Sequence, residues 1–210
     1  MEEYVLFILN CYKYEGKRQQ QLNSWLKNLK IPNFKFYHII GNENLKTEYE
    51  IEDNKIIVKC EDNYESLPQK TFLAIRAIKD IHKNLKFILK TDDDMNVNIN
   101  YLTTLLKILE PTKCDYYGEF ITIPKEHYSI YHFDKVEKET SKRQIKMECI
   151  TYSPGRFYIL SNNFCNKILQ ESDYFKNSMF EDYAIGYIAN KYNVKKYMIK
   201  VRRNIEEFTY

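Results

Sequence analysis

Glycine and proline are scarce in this 210-residue chain, five of each. So few scattered glycines cannot build a glycine-rich phosphate loop, which counts against the nucleotidyltransferases and phosphotransferases that use one. Cysteine is sparse and odd in number. Cys11, Cys60, Cys114, Cys149 and Cys165 show no C-x-x-C pair and no histidine at zinc spacing. That argues against a zinc module and a disulfide framework, and predicts buried thiols in a reduced, cytosol-like protein. No apolar run approaches the length of a membrane span, and no secretory leader is expected. A dominant charge is also missing. With 32 basic and 29 acidic residues, the formal net charge is +3, too balanced to argue for nucleic acid.

What the chain does contain is aromatic. Nineteen tyrosines and twelve phenylalanines follow core periodicity and do not interleave with a basic stripe, so they mark a packed core and not a single-strand binding face. The length suits one domain with a sizeable core. Tyr4 to Asn10 reads as a buried first strand, 17–29 as a helix with Leu22, Trp25, Leu26 and Leu29 on one face, and Phe34 to Ile40 as a second strand. That is the start of a right-handed βαβ unit. A polar loop is expected over 44–52, a short strand over Ile56 to Val58, and a helix from Leu67 to Ile81. A central strand follows from Phe87 to Thr91, then a helix with Leu102, Leu105, Leu106 and Leu109 inward. Strands are expected over 116–122, 147–151 and 157–160, with a long polar loop over 125–146. Helices follow after Ser161 and from about Asp182 to Lys191, then a last strand over 196–201 and a charged tail. A loop as long as 125–146 inside one domain is usually functional. The fold class is α/β: parallel strands in the first half, and mixed strands added over the same crevice in the second.

The chain is organised around Phe87-Ile88-Leu89-Lys90-Thr91-Asp92-Asp93-Asp94. An apolar strand ends abruptly at three carboxylates, and ligands of open α/β sheets bind beyond the carboxyl ends of strands. Adjacent acids repel, and a hard divalent cation relieves that repulsion while keeping positions open for substrate phosphates. The same acids could instead cap the helix that follows. Lys90 interrupts the buried strand just before them, where it could neutralise them or snorkel to the edge. Lys70 falls in the first turn of its helix, against the dipole, as either a solvated lysine or a residue under another demand. The pair Glu181-Asp182 opens a helix, where acids suit the dipole. A catalytic role requires one of them to point back into the crevice opposite the triplet. Residues 152–157 read as a turn joining two strands, in a hairpin or with Arg156 facing a phosphate.

In chain order, several blocks resemble the β1,3-galactosyltransferase-like enzymes of glycosyltransferase family 31, which include the Fringe proteins. Residues 17–25 look like the basic helix ending in tryptophan, and Asp62 to Thr71 like the D-x-Y-x-x-L-x-x-K-T block. Lys90 to Asp94 look like K-x-D-D-D, with Tyr117-Gly118-Glu119 as the strand after it. Tyr152, Gly155 and 157–161 look like Y-x-x-G-x-x-Y-x-x-S, and Glu181 to Gly186 like E-D-V-x-x-G. The likeness spans roughly residues 4–192.

This resemblance implies a GT-A fold, a UDP-sugar donor, manganese or magnesium, inversion at the anomeric carbon, and a glycan or glycoprotein acceptor. Carried over by position, Asp94 binds the metal, and Asp92 and Asp93 contact the metal shell or the ribose. Asp182 is the general base, while Asn10, Arg18, Asp62 and Lys70 surround the nucleotide with Lys90 beside it. Residues 1–95 then form a nucleotide-binding half of a single domain, and 96–210 an acceptor-binding half. One departure is plain: the family's C-terminal metal-binding histidine is missing, since His38, His82, His127 and His132 all precede Asp182 and 201–210 contain none. The family's disulfides are absent too, which agrees with a reducing compartment such as the cytosol or a virus factory. The competing readings are a catalytically weak nucleotide- or sugar-binding remnant of the fold, and a metal-dependent nucleotidyltransferase.

Overall fold

The apolar runs at residues 4–9, 34–41, 55–58 and 87–92 form the parallel heart of a sheet. The computed structural model of the protein describes residues 3–208. The first strand, β1 (Tyr4–Leu9), lies between β2 (Phe34–Gly41) and β5 (Phe87–Asp92), parallel to both. Outside β2 come β4 (Lys55–Val58), parallel, and β3 (Tyr49–Glu52), antiparallel. On the other side, β12 (Phe157–Ser161) runs antiparallel between β5 and β7 (Tyr116–Gly118), and β13 (Lys196–Met198) closes that edge. Among the described residues the order is β13-β7-β12-β5-β1-β2-β4-β3. Side chains alternate across the pleat, so β1 sends Val5, Phe7 and Leu9 into one core and Leu6 and Ile8 into the other.

The first core is covered by four helices: α2 (Leu67–Ile81), α4 (Asn162–Ile168), α5 (Ser172–Asn177) and α6 (Glu181–Lys191). The second lies under Trp25 and Leu26, which follow α1 (Glu15–Asn23), and under α3 (Ile99–Ile108). Ser161 caps α4 by accepting the Phe164 N–H at 3.0 Å. No helix among the described residues is long and apolar enough to cross a membrane.

Several expectations need correction. The helix expected over 17–29 ends at Asn23, because Ser24 donates its hydroxyl to the Gln20 carbonyl at 2.6 Å and its backbone leaves the helical region. The expected loop 44–52 contains β3, an exposed edge strand. The triplet does not cap α3. A short strand, β6 (Met95–Val97), intervenes, and Asn98 caps the helix by accepting the Tyr101 N–H. The strand expected over 116–122 divides at Gly118, since β8 (Ile121–Thr122) pairs instead with β11 (Thr151–Tyr152). Residues 152–157 therefore link two different sheets and are not a hairpin. The expected loop 125–146 holds β9 (His127–Ser129), which pairs with β10 (Ile145–Met147) as the stem of an arm. The tail carries β14 (Ile205–Glu207), antiparallel to β6, while residues 209–210 lie outside the described residues. All five cysteines are free, but Cys149 is exposed and Cys11 half-buried.

Candidate active site

Register brings the chemistry together. Leu9 of β1 pairs with Asp92 of β5, so Asn10 and the triplet leave the sheet side by side at its carboxyl end. The triplet's turn is held from α1: Gln21 donates to the Asp92 and Met95 carbonyls at 3.0 and 2.9 Å, and Trp25 Nε1 to Met95 at 3.1 Å. Asp93 is buried, accepting from Asn10 Nδ2 at 2.8 Å and Lys17 Nζ at 3.2 Å. Burial raises its pKa above the ordinary carboxylate value, against the pull of Lys17. Asp94 is half-exposed and 4.0 Å from Lys17, and its Oδ1 is buried without a hydrogen-bond partner. Burial first, and the Asp92 carboxylate second, raise its pKa.

A second group forms beside it. Asp62 accepts from the Gly41 N–H at 2.7 Å, the Tyr12 N–H at 2.8 Å and Lys70 Nζ at 2.6 Å. Lys70 also donates to the Asn10 carbonyl at 3.0 Å. It is fully buried, which overturns the solvated reading and explains a cation in a first turn: its partners lie across the sheet end, not on its helix. Arg18 is not gathered with the triplet. It pairs with Glu15 at 2.7 Å and faces buried His38, whose pKa falls to about 3 through burial first and the guanidinium second.

The third group joins the two acidic motifs. Lys90, fully buried, donates to Asp92 Oδ1 at 2.6 Å and to the Gly155 carbonyl at 2.5 Å, and lies 3.4 Å from Glu181. Burial pulls its pKa down, but Asp92 and Glu181 more than offset this and hold the ammonium charged. The Gly155 N–H in turn donates to Asp182 Oδ2 at 3.0 Å. One peptide unit thus has Lys90 on its carbonyl side and Asp182 on its amide side. A Cβ on Gly155 would come 3.0 Å from Lys90 Nζ. Glu181, buried, accepts a hydrogen bond from the Tyr158 hydroxyl. Its burial raises its pKa to about 7, with Lys90 opposing and Asp182 adding to the rise. Asp182 is raised as well, by burial before any charge.

The 127–147 arm stands over this floor. Glu65 Oε1 accepts the N–H groups of Glu137 and Lys138, both at 2.8 Å, and Lys138 pairs with Glu61. Buried His132 packs edge-on against Phe180, ring centres 5.4 Å apart, immediately before α6.

The structure therefore brings together Asn10, Asp92, Asp93 and Asp94, then Asp62 with Lys70, then Lys90 with Asp182. Reading by sequence missed Lys17, Gln21, Glu181 as Lys90's partner, and the Gly155 peptide. Lys17 and Gln21 lay inside a motif block that drew attention to its arginine and tryptophan. Among the described residues no three His, Cys, Asp or Glu side chains are grouped to hold a metal ion. The set that does fit a hard cation is smaller: the Asp92 and Asp94 carboxylates, one with an orphaned buried oxygen. Magnesium-type sites commonly use one or two carboxylates and take the rest of the shell from water and substrate phosphates.

A sequence model of the galactosyltransferase family matches residues 17–200. The UDP-GalNAc:beta-1,3-N-acetylgalactosaminyltransferase 1 of Rattus norvegicus is 25% identical over 148 residues, covering 70% of this chain and 42% of that protein. The Beta-1,3-galactosyltransferase 5 of Pan paniscus is 22% identical over 204 residues, covering 91% of this chain and 65% of that protein. The chain thus spans less than half the length of the first of these relatives. Among solved structures, a glycosyltransferase involved in the glycosylation of the major capsid of PBCV-1 superposes with a TM-score of 0.52 at 10% identity, covering 93% of this chain and 80% of that one. That likeness bears on the fold, which is the GT-A arrangement expected.

Proposed function

Because the chain belongs to the galactosyltransferase family, we propose that it is a hexosyltransferase. It moves a galactose-, N-acetylglucosamine- or glucose-type hexose from a UDP-sugar to a hydroxyl of a glycan or glycosylated acceptor, inverting the anomeric centre. The observation that carries this reading is the meeting of the two acidic motifs at one crevice, Asp92 and Asp182 linked through Lys90 and the Gly155 peptide.

Inversion needs one in-line displacement. The acceptor oxygen attacks the anomeric carbon as the bond to the diphosphate oxygen breaks, and that bond's electron pair leaves with UDP. The acceptor proton passes to Asp182, whose raised pKa makes it a better base than a surface aspartate. Lys90 keeps Asp92 and Glu181 from repelling Asp182 out of position, and the Gly155 N–H fixes the carboxylate's orientation. A magnesium- or manganese-type cation held by Asp92 and Asp94 would neutralise the departing diphosphate. Asn10, Asp62 and Lys70 form the nucleotide side together with Asp93, and Arg18 reaches it only by exchanging Glu15 for a phosphate or ribose. On this reading 1–95 supply the donor half and 96–210 the acceptor half. The absence of a disulfide among the described residues is compatible with a reducing compartment, which is where we place the protein.

The test is a panel of UDP-sugars with simple glycoside acceptors, with and without manganese, following UDP release. Asp182→Asn is expected to lower turnover roughly 10²- to 10⁴-fold while sparing UDP binding. Asp94→Asn is expected to abolish the manganese dependence of UDP binding. UDP binding without release from any donor would leave a binding remnant of the fold, and failure to bind UDP at all would overturn the reading.

A further inference from the structure

The arm exposes a tyrosine where none is needed for folding. Tyr131 is 67% exposed although the next residue, His132, is fully buried. The exposure does not come from a loose segment. His132 is held through Nε2 to the Ser141 carbonyl at 3.0 Å and by its ring against Phe180. The Glu65 and Glu61 contacts pin the far side of the arm to the loop that carries Asp62. Lys135 Nζ donates to the Tyr131 hydroxyl at 2.6 Å, lies over one face of the Tyr131 ring at 3.8 Å from its centre, and stands 5.6 Å from the centre of the half-buried Tyr64 ring.

This wall is close to the reacting end of α6. Phe180, on which His132 packs, is two residues before Asp182. Tyr152, whose Cβ lies against Gly186 of α6, packs its ring on Tyr183 at 5.9 Å. The His132–Phe180 contact thus fixes Tyr131, one residue away in the chain, beside the start of α6.

We propose that Tyr131, flanked by Lys135 and Tyr64, is the docking face for a neutral pyranose ring of the acceptor, an inference that rests on the transferase reading above. A pyranose has an apolar C–H face and a hydroxylated edge. The face of the Tyr131 ring opposite Lys135 matches the apolar face of the sugar, and the Lys135 ammonium and Tyr64 hydroxyl match its hydroxylated edge. The acids around Asp182 disfavour an anionic sugar in the same place, because like charges at close quarters repel. A sugar seated on Tyr131 presents a hydroxyl toward Asp182, so the arm selects which acceptor reacts.

The test is saturation-transfer NMR on the UDP-loaded protein with methyl β-galactoside, methyl β-glucoside and methyl β-N-acetylglucosaminide, alongside separate calorimetry of UDP binding. At least one glycoside is expected to receive saturation, strongest on the protons of one ring face. Tyr131→Ala is expected to weaken that binding about tenfold, the upper range for one aromatic contact. Tyr131→Phe keeps the ring and retains most of the binding, and UDP affinity is unchanged in both. Binding of no glycoside, or Tyr131→Ala binding as well as the native protein, overturns the subsite. Failure of the native protein to bind UDP would instead strike the transferase reading, and the same glycoside spectra recorded on the UDP-free protein and on Tyr131→Ala would then decide the subsite.

Discussion

Lys90 and Glu181 show how one buried residue sets the state of another. Lys90 lowers the pKa of both Glu181 and Asp182. Its removal in Lys90→Met should let both carboxyls rise further, so the acidic limb of the kcat/KM profile moves to higher pH. A pH–rate series on UDP release checks this, and an unmoved limb would mean Lys90 serves packing alone. Glu181 makes a separate prediction about stability. Its folded pKa of about 7 lies above its ordinary value of 4.5, so the folded state binds the extra proton between those two values. Stability should therefore be greatest below that window, fall as pH rises through it, and level off above about pH 7. Glu181→Gln, which cannot lose a proton, should flatten that slope in thermal unfolding scans from pH 5 to 8.

Among the elements, α6 is the one whose position decides the site, and Gly186 decides α6. A Cβ there would come 2.2 Å from Tyr152 Cβ and 3.0 Å from its Cα, so the helix lies on β11 with no room for a methyl group. Alanine is favoured over glycine inside a helix by about 1 kcal/mol, but overpacking of this kind costs about 1–3 kcal/mol. Gly186→Ala should therefore lose stability in urea titrations, and it should also lower activity by moving Asp182. This contact is invisible in a linear sequence, where Gly186 reads as a weak helix former and the last position of a motif block. The parallel strands were legible because their buried residues fall in short, dense apolar runs such as Tyr4 to Leu9 and Phe87 to Leu89. The stop at Asn23 was not, since the apolar spacing continues to Leu29 and the break answers a tertiary demand: Trp25 must reach the Met95 carbonyl. Likewise β14 hides in a charged tail because its pairing with β6 satisfies the backbone while Glu206 and Glu207 stay exposed. Of the site, the acids and Lys90 could be read directly, Asn10 and Lys70 came with the family resemblance, and the remaining partners could not be read. Carboxylates crowded at a strand end are conspicuous in any sequence, whereas Lys17, Gln21 and the Gly155 peptide acquire meaning only when the chain folds back.

For the whole molecule, one sheet brings segments far apart in sequence to a common edge, and the arm is tied to both sides of the crevice. Glu61 and Glu65 hold it on the Asp62 side, and Phe180 on the Asp182 side. Glu65→Ala should release two backbone N–H groups of the arm and raise acceptor KM more than donor KM, measured by varying each substrate at saturation of the other. The crevice between these attachments has an excess of negative charge, because among the described residues the cluster of Asp92, Asp93, Asp94, Glu181 and Asp182 is met by Lys17 and Lys90. In a chelating buffer the diphosphate of UDP is thus a handicap. Uridine should compete for the crevice at least as well as UDP, and added salt should narrow the difference between them. With divalent cation restored, the order should reverse, so the same carboxylates that repel the bare donor would make its affinity a gauge of free cation in the protein's surroundings.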